Sequence, residues 1–338
     1  MRHVLVVGCG SIGSRHVGNL VESFDVEVSV CDVDERQVAA LSDEYGVTST
    51  TDLDEALDAA PDAVLVCTPP TSHVDIARKA IDAGAHVFVE KPVAADSERA
   101  AELAERVREA DRVGLVGCNM RFHPPVARIT DWLTAGEIGR LEYARLRYGN
   151  YLPNWRPDDY TESYSTDPEQ GGGIVLDAIH ELDLASWWLG RPGTVTSATG
   201  TYSDLALDVE DTAEILIERE DETAMASVHL DYLRPVRART YELIGTEGMI
   251  RWDAEGKNPE ESTVWLYDTE TNQRETETYA STFEEMYVAE LDHFFSCIDG
   301  EAEPVVDIAD GQRLVELAEQ IRAAAADGRT RTVMRARE

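Results

Sequence analysis

Short apolar runs alternate with amphipathic segments through the first 118 residues of the chain. Continuous runs of this length are typical of buried parallel strands, whereas apolar residues repeated at helical spacing are typical of helices. The strand candidates lie at residues 4–7, 26–31, 63–67, 86–89 and 113–118. The helix candidates lie at residues 35–45, 51–60, 73–83 and 97–110. Regular alternation of the two element types predicts an α/β domain with a doubly wound parallel sheet.

The pattern changes after residue 121, where strands begin to follow one another without intervening helices. The strand candidates of this half lie at 141–148, 194–203, 212–219, 224–232, 238–244, 248–252 and 263–268. The helix candidates lie at 125–134, 177–189, 283–298 and 308–326. Consecutive strands predict a large, mainly antiparallel open sheet. We therefore expect an α/β domain over residues 1–121 and an α+β domain over residues 122–338.

Three glycines follow the first apolar run, at the point where a strand would pass into a helix. In this GxGxxG spacing Gly8 permits a tight turn, Gly10 lets the backbone approach a pyrophosphate, and Gly13 lets strand and helix pack closely. The amino terminus of the helix would present its N–H groups to the phosphates. Asp32 ends the second strand candidate, 19 residues after Gly13, where an acid binds the ribose hydroxyls of NAD. The sequence therefore predicts a Rossmann-type domain that binds NAD, and Arg36 leaves NADP possible.

Composition narrows the class of protein. At 338 residues the chain is long enough for two domains. No apolar run approaches membrane-spanning length, and the first strand starts without a preceding signal peptide, so we expect a soluble, cytoplasmic protein. The cysteines form no CxxC pair, and we expect them to be small core residues and neither zinc ligands nor disulfides. They are Cys9, Cys31, Cys67, Cys118 and Cys297.

The chain is strongly acidic, with 66 Asp and Glu against 30 Lys and Arg and a formal net charge of −36. Such a charge argues against nucleic acid or an anionic membrane as a partner. The acids are spread along the whole chain, and its only lysines are Lys79, Lys91 and Lys257. An evenly acidic surface with few lysines is typical of proteins from halophiles, in which dense salt screens the repulsion.

Lys91 is the first candidate for chemistry, because it directly follows the strand candidate at 86–89 and Glu90. An ammonium beside a substrate hydroxyl would lower the pKa of that hydroxyl and hold it in place, which a broad guanidinium does less well. Pro92 restricts Lys91 to an extended backbone. The structural alternative is a lysine at a strand end that pairs with Glu90.

The second candidate is the segment after the glycine run at residues 171–173. On one helix, Asp177 and His180 would share a face at i and i+3, and Asp183 would lie one further step along it. An imidazole is suited to accept an alcohol proton near neutral pH, while a carboxylate can orient the substrate or the imidazolium. A zinc site at these three residues is a competing interpretation. A core histidine with satisfied hydrogen bonds is another.

A loop rich in aromatic and polar residues lies between the strand candidate at 141–148 and the glycine run. It contains Tyr151, Asn154, Trp155, Arg156 and Tyr164. Aromatic faces beside hydrogen-bonding groups suit a sugar, and they equally suit a protein interface.

The order of these motifs resembles the glucose-fructose oxidoreductase, inositol dehydrogenase and rhizopine catabolism (Gfo/Idh/MocA) family. The resemblance rests on the GxGxxGxxH run from Gly8 to His16, Glu90-Lys91-Pro92, Asn119-Met120-Arg121-Phe122, the glycine run with Asp177 and His180, and the segment from Glu290 to Gly311. It extends over nearly the whole chain, and the combination is more specific than any single motif. One departure is the spacing of Asp177 and His180, since many members have three residues between the acid and the histidine.

The resemblance implies roles for particular residues. Lys91 corresponds to the catalytic lysine of the family, and Asp177 and His180 correspond to its catalytic acid and histidine. The glycine loop and Asp32 give the expected cofactor contacts Gly8, Gly10, Ser11, Ile12, Gly13 and Asp32. The resemblance adds Thr68, Pro69, His73, Glu90, Asn119, Trp155 and Arg156. The expected substrate contacts are Lys91, Arg121, Tyr151, Asp177 and His180. No metal is expected.

The resemblance further implies an NAD(P)-dependent dehydrogenase that acts on a secondary alcohol of a sugar, a cyclitol or a sugar nucleotide. Two other functions stay open, a non-catalytic NAD(P)-binding regulator and an NAD-dependent glycosidase that recycles its cofactor. Retention of both Lys91 and His180 favours an enzyme. Relatives are often dimers or tetramers, so we expect a homodimer or a homotetramer.

The acidic composition yields a prediction about salt. Because mobile ions screen repulsion among exposed carboxylates, the melting temperature should fall when salt is lowered from molar to millimolar concentration. Scanning calorimetry across this range measures the effect. A melting temperature that does not change with salt would contradict the prediction.

Overall fold

The computed structural model describes residues 1–155, 159–256, 261–280, 283–328 and 331–333. The chain forms two compact units. The first unit comprises Met1–Asn119 and Glu284–Val315, and the second comprises Met120–Phe283 and Glu316–Glu338. Residues 284–315 therefore belong to the first unit by their contacts, although they lie far along the chain from its sheet.

The first unit contains a six-stranded parallel sheet in the order β3-β2-β1-β4-β5-β6. Its strands are β1 (Arg2–Val7), β2 (Val26–Cys31), β3 (Thr48–Thr50), β4 (Ala63–Val66), β5 (His86–Glu90) and β6 (Gly114–Gly117). Its first helices are α1 (Ser11–Ser23), α2 (Glu35–Tyr45), α3 (Leu53–Asp58), α4 (Pro70–Asp82) and α5 (Ser97–Ala110). This order reverses direction between β1 and β4, where doubly wound sheets bind ligands, and it confirms the predicted fold class.

Local sequence explains where these helices begin. Asp34, Asp52 and Asp96 each precede a helix, and their carboxylates accept hydrogen bonds from N–H groups of the first turn. Such caps satisfy donors that have no partner within the helix. Gly46 ends α2 in the left-handed conformation, with φ of 70°.

The second unit is organised around a nine-stranded sheet in the order β14-β13-β12-β11-β7-β10-β9-β8-β15. Its strands are β7 (Leu141–Gly149), β8 (Pro192–Gly200), β9 (Thr212–Arg219), β10 (Met225–Asp231), β11 (Ala238–Gly245), β12 (Gly248–Glu255), β13 (Ser262–Asp268), β14 (Gln273–Tyr279) and β15 (Arg331–Thr332). Its helices are α6 (Pro124–Ala135), α7 (Leu152–Trp155), α8 (Ile174–Asp177) and α9 (Ile179–Leu189). Among the described strand pairs of this sheet, only β7 and β10 run parallel, so the prediction of a mainly antiparallel sheet is confirmed.

Three strands were absent from the sequence prediction, and each lies at a sheet edge. β3 and β14 carry mostly exposed polar residues, and β15 has only two residues. An edge strand needs no apolar face, because one side of its backbone pairs with a neighbour and its side chains face water. Hydrophobic periodicity therefore gives no indication of such strands.

The chain returns to the first unit through α10 (Phe283–Ile298) and the beginning of α11 (Ile308–Asp327). Leu291, Phe294 and Phe295 of α10 pack into the core that includes Val4 and Val6 of β1. All five cysteines are buried and free, which confirms their expected role as small core residues. Within the described residues, no helix has the length and apolar character that a membrane span requires.

Glu290 lies fully buried on α10, with 0% of its surface exposed. Neither carboxylate oxygen has a hydrogen-bond partner among the described residues. Burial raises the pKa of Glu290 well above its usual value, and the charge of Glu90 raises it further. An ionised carboxylate without a partner is too costly in such a core, so Glu290 is protonated in the folded protein.

This proton makes stability depend on pH. The unfolded chain releases it near the ordinary value of 4.5, whereas the folded chain keeps it to higher pH. The free energy of unfolding should therefore fall as pH rises above the ordinary pKa, by about 1.4 kcal/mol per pH unit, until the raised pKa is passed. Glu290→Gln should remove this contribution to the slope above about pH 5 in urea unfolding at constant salt.

Glu285→Gln is the matched control, because Glu285 is exposed on the same helix. It should leave the slope unchanged. Equal slopes for Glu290→Gln and the parent protein would show that Glu290 does not hold the proton.

Candidate active site

The glycine loop between β1 and α1 has three positions with different steric constraints. Gly8 has φ of +96°, and a Cβ there would lie 2.7 Å from the carbonyl carbon of Cys67. A Cβ at Gly13 would lie 1.8 Å from the oxygen of Gly8. At Gly10, by contrast, no atom of the described residues lies within 4 Å of a Cβ position. The first and third glycines thus permit close packing, and the second leaves open space over the backbone.

Asp32 directly follows β2 and is held beside this loop. Its Oδ2 accepts a hydrogen bond from the N–H of Cys9 at 2.6 Å, and its Oδ1 accepts one from the N–H of Asp34 at 2.9 Å. Arg36 pairs with Asp34 at 2.8 Å, and 90% of its side chain is exposed. The Asp32 carboxylate is therefore bonded to the glycine loop, whereas the Arg36 side chain lies on the surface.

The loop and the sheet fit the phosphates and ribose of a dinucleotide. Helix α1 begins at Ser11, and Gly10 before it provides no capping side chain. The N–H groups of the first turn are therefore oriented as in known pyrophosphate sites, over the open backbone at Gly10. Asp32 lies where an acid binds a ribose. These features define a dinucleotide-binding Rossmann unit.

His73 connects two loops at the carboxyl ends of neighbouring strands. The side chain is buried on α4, with Nε2 at 2.6 Å from the carbonyl oxygen of Thr68 and Nδ1 at 2.9 Å from that of Pro92. Burial lowers the pKa of His73, whereas the carbonyl oxygens of Thr68 and Pro92 at its two ring nitrogens act in the opposite direction. His73 therefore positions the loop of Thr68 and Pro69 against the loop after β5. Its contact with a cofactor stays a prediction.

Glu90, at the end of β5, is also buried. Its Oε1 lies 2.9 Å from Nε2 of His16, the histidine of the GxGxxGxxH run, and its Oε2 accepts the N–H of Lys91 at 3.2 Å. His16 is fully buried and packs edge-on against Phe88 and Tyr287. The strand end that carries Lys91 is thus fixed from beneath by a buried histidine–carboxylate pair. Lys91 itself is partly exposed.

Asp177 and His180 do not lie on one continuous helix, and the predicted helix at 177–189 is wrong in this respect. Helix α8 ends at Asp177 and α9 begins at Ile179, because Ala178 adopts φ −99° and ψ 35°. The break directs Asp177 away from the regular i, i+3 geometry. His180 lies in the first turn of α9 and is 8% exposed.

Three hydroxyl groups hold the Asp177 carboxylate. Its Oδ1 accepts the Tyr164 hydroxyl at 2.8 Å, and its Oδ2 accepts those of Ser165 at 2.9 Å and Tyr232 at 3.0 Å. Only 1% of Asp177 is exposed. The hydrogen bonds compensate for burial of the carboxylate and fix its orientation.

Asp183 and Glu181 on α9 each hold an arginine. Arg121 donates to both oxygens of Asp183, at 2.9 and 2.6 Å, and its guanidinium stacks over Trp187 at 4.5 Å. Glu181 contacts Nε of Arg239 at 2.7 Å. The Asp183 carboxylate therefore forms a buried ion pair with Arg121. No group of three metal-binding side chains occurs in the part of the chain that the structure describes.

Glu181 also accepts the hydroxyl of Tyr241 at 2.9 Å. The sequence analysis missed the partners Tyr232, Arg239 and Tyr241, because they lie 55–60 residues along the chain from the acids they hold. Their only sequence indication is the group of acids after the glycine run, since acids inside an apolar helix require hydrogen bonds or cations.

Among the other predicted site residues, Asn119, Tyr151 and Trp155 differ in burial and packing. Asn119 is buried, and Tyr151 is partly exposed. Trp155 of α7 packs edge-on against Tyr148 and Tyr232, with ring centroids 5.8 and 6.1 Å apart. Arg156 lies outside the described residues.

The predicted residues divide between the two units. In the first unit, the predicted residues lie at the carboxyl ends of parallel strands. They are the glycine loop with Ser11 and Ile12 after β1, Asp32 after β2, Thr68 and Pro69 after β4, and Glu90 and Lys91 at the end of β5. Arg121, Tyr151, Trp155, Asp177 and His180 belong to the second unit.

Comparison with known families agrees with this architecture. Residues 2–118 match the oxidoreductase family with an NAD-binding Rossmann fold, and residues 131–334 match the C-terminal alpha/beta domain of the same family. The chain therefore belongs to the Gfo/Idh/MocA family of oxidoreductases, as its motifs indicated.

Curated relatives agree with this assignment, and a solved structure has the same fold. The chain is 27% identical over 329 residues to inositol 2-dehydrogenase of Rhizobium meliloti, covering 93% of this chain and 94% of that protein. It is 30% identical over 318 residues to scyllo-inositol 2-dehydrogenase (NAD(+)) of Bacillus subtilis, covering 89% and 87%. Levoglucosan dehydrogenase in complex with NADH and L-sorbose has the same fold, with a TM-score of 0.87, 22% identity and 99% of both chains covered.

The glycine loop yields a paired prediction. Gly10→Ala places a methyl group in the open space where the pyrophosphate is expected, so it should weaken NADH binding at least tenfold and leave the melting temperature nearly unchanged. Gly13→Ala places its methyl group against the oxygen of Gly8, so it should lower the melting temperature.

NADH fluorescence titration and calorimetry measure the two effects. Tight NADH binding by Gly10→Ala would show that the phosphates lie elsewhere. A Gly13→Ala protein as stable as the parent would contradict the close packing of α1.

Proposed function

We propose that the protein is an NAD(P)-dependent dehydrogenase that acts on a secondary alcohol of a sugar or a cyclitol. The observation that carries the proposal is Lys91, which follows the β5 strand end that His16 and Glu90 hold in place, beside a glycine loop that fits a dinucleotide. The family assignment supports redox chemistry with NAD. The named relatives act on inositols, which supports a polyhydroxylated substrate. A sugar nucleotide is a finer possibility within this class.

We assign Lys91 the task of polarising the substrate hydroxyl. Its ammonium stabilises the developing alkoxide electrostatically and donates a directed hydrogen bond. Glu90 is engaged by His16, so that its carboxylate supports the strand end. The extended backbone before Pro92 then determines where the Lys91 side chain begins.

We assign His180 the role of general base in oxidation and general acid in reduction. A histidine has a pKa suited to exchanging an alcohol proton near neutral pH. Asp177 serves as an orienting group for the substrate or the imidazole. Its carboxylate is fixed by Tyr164, Ser165 and Tyr232, so it can act without rearrangement.

When bound, the nicotinamide cofactor accepts or returns the hydride of the carbon that bears this hydroxyl. Asp32 favours NAD over NADP, because its carboxylate would repel a 2′-phosphate and is fixed by two backbone N–H groups. Arg36 is engaged with Asp34, which gives it less freedom to bind such a phosphate. The expected assembly is a homodimer or a homotetramer in the cytoplasm.

Lys91→Met tests the catalytic assignment. The turnover number should fall by about 10²–10⁴-fold, the usual contribution of a proton-transfer group, while NADH affinity stays near that of the parent. Activity is measured as net NADH production in molar salt against sugars, cyclitols and sugar nucleotides. A glycosidase that recycles its cofactor, or a regulator, would accumulate no NADH with any of them.

Lys79→Met is the matched control, since Lys79 is half-exposed on α4 and pairs with Asp54. It loses the same charge at a position away from the strand end. Turnover by Lys91→Met as fast as by Lys79→Met would remove Lys91 from the mechanism.

A further inference from the structure

Arg322 on α11 contacts the glycine run at residues 171–173, although 150 positions separate it from Gly172 along the chain. Its Nη2 donates to the carbonyl oxygen of Gly172 at 2.6 Å and to Oε1 of Glu210 at 2.7 Å. Its Nε donates to the same oxygen of Glu210 at 3.1 Å. The Glu210 side chain is only 12% exposed, so little water competes for these charge-assisted bonds. One guanidinium therefore joins α11 to the turn that precedes α8.

Glu210 also binds the beginning of α8 through two of its own atoms. Its backbone carbonyl oxygen accepts the N–H of Ile174 at 3.1 Å, and its Oε1 accepts the N–H of Val175 at 3.3 Å. These N–H groups lie in the first turn, where a helix provides them no internal partner. Because α8 has only four residues, its position depends on such external bonds.

Gly173 packs directly against the ion pair of Glu210 and Arg322. Its φ is +101°, and a Cβ there would lie 2.4 Å from Oε1 of Glu210 and 2.6 Å from Nη2 of Arg322. A shift of the ion pair would therefore move the backbone at Gly173. The carbonyl oxygen of Gly173 in turn accepts the N–H of Asp177 at 3.0 Å, which couples the position of Asp177 to that of the glycine run.

Two of the residues whose hydroxyl groups bind Asp177 pack on the same glycine run. The carbonyl oxygen of Ser165 accepts the N–H of Gly173 at 3.0 Å. A Cβ at Gly172 would lie 2.5 Å from the carbonyl oxygen of Tyr164. The glycine run therefore carries Asp177 on one side and contacts two of its hydroxyl donors on the other.

The third hydroxyl donor, Tyr232, is joined to the residue after Glu210. The N–H of Tyr232 donates to the carbonyl oxygen of Asp211 at 2.8 Å. All three residues that hold the Asp177 carboxylate thus have backbone contacts with the glycine run or with the segment that begins at Glu210.

We propose that Arg322 and Glu210 are positioning residues for Asp177, because their ion pair fixes the glycine run that places the Asp177 carboxylate. This inference rests on the proposed function, in which Asp177 orients the substrate or the imidazole. A displacement of about 1 Å at a reacting group can cost about 100-fold in rate. The ion pair can therefore affect turnover without contact to the substrate.

The first test measures backbone hydrogen exchange in the parent protein, in Arg322→Met and in Arg128→Met. Arg322→Met removes the charge-assisted bonds to the turn, so the amides of residues 173–177 should exchange at least about tenfold faster. Arg128→Met is the matched control, since the Arg128 side chain is 31% exposed against 32% for Arg322 and pairs with Glu277 at 2.6 Å. It should leave the exchange of residues 173–177 unchanged.

Glu210→Gln provides a second variant in case Arg322→Met does not fold. It keeps the shape of the side chain and an oxygen that can accept the N–H of Val175, but it removes the negative charge that binds Arg322. Exchange in residues 173–177 should again be faster, by a smaller factor. Parental exchange rates there in every variant of the pair that folds would overturn the proposal.

The second test is a double-mutant cycle with Asp177→Asn, assayed with the substrate that gives the highest rate of NADH production in the screen above. Arg322→Met alone should lower kcat by about 10–100-fold. NADH affinity should stay near that of the parent, because the glycine loop at residues 8–13 belongs to the first unit. In the Asp177→Asn protein, Arg322→Met should lower kcat by less than about twofold, since the carboxylate that it positions is already absent. An equal loss of kcat in both backgrounds would indicate a merely structural contact and would overturn the proposal.

The two tests distinguish failure of this inference from failure of the proposed function. Hydrogen exchange needs neither substrate nor cofactor, so it decides by itself whether the ion pair fixes the glycine run. A screen that finds no substrate would contradict the proposed function and leave that result as it stands.

Discussion

The second unit depends on the requirement that a buried carboxylate be compensated. Asp177, Glu181 and Asp183 occur within seven residues, and each is at most 1% exposed. Breaking a buried ion pair by removing one partner typically costs about 3–5 kcal/mol, so each acid restricts where its partners can lie. Glu181 on α9 thus contacts β11 through two side chains, Arg239 and Tyr241. In sequence, His180, the proposed acid–base group, lies between Asp177 and Glu181.

The same requirement operates in the first unit, with a different outcome. Glu90 is held by His16 and by the backbone of Lys91, whereas Glu290 has no partner among the described residues and keeps its proton instead. One buried acid is thus compensated by hydrogen bonds and the other by neutralisation.

Much of the fold followed from the sequence because the pattern and the local chemistry agreed. Helices α2 and α5 have the bounds that their apolar spacing predicted, and each starts at an aspartate that caps it. The order of strands and helices was enough to predict both sheets. The edge strands β3 and β14 were not predicted, because a strand whose side chains face water shows no regular spacing of apolar residues. The break at Ala178 was not predicted either, and the hydroxyl groups that bind Asp177 beside it belong to residues distant in sequence, Tyr164, Ser165 and Tyr232.

By itself, the sequence determined which segments form strands and helices, where the glycine loop lies and which residue types could carry redox chemistry. These features depend on neighbours a few residues apart, so that periodicity and spacing reveal them. Only the tertiary structure decided which partner each buried charge has: Arg121 for Asp183, Arg239 for Glu181 and His16 for Glu90. Those pairs join residues 58–74 positions apart, and only the folded chain brings them within hydrogen-bonding distance.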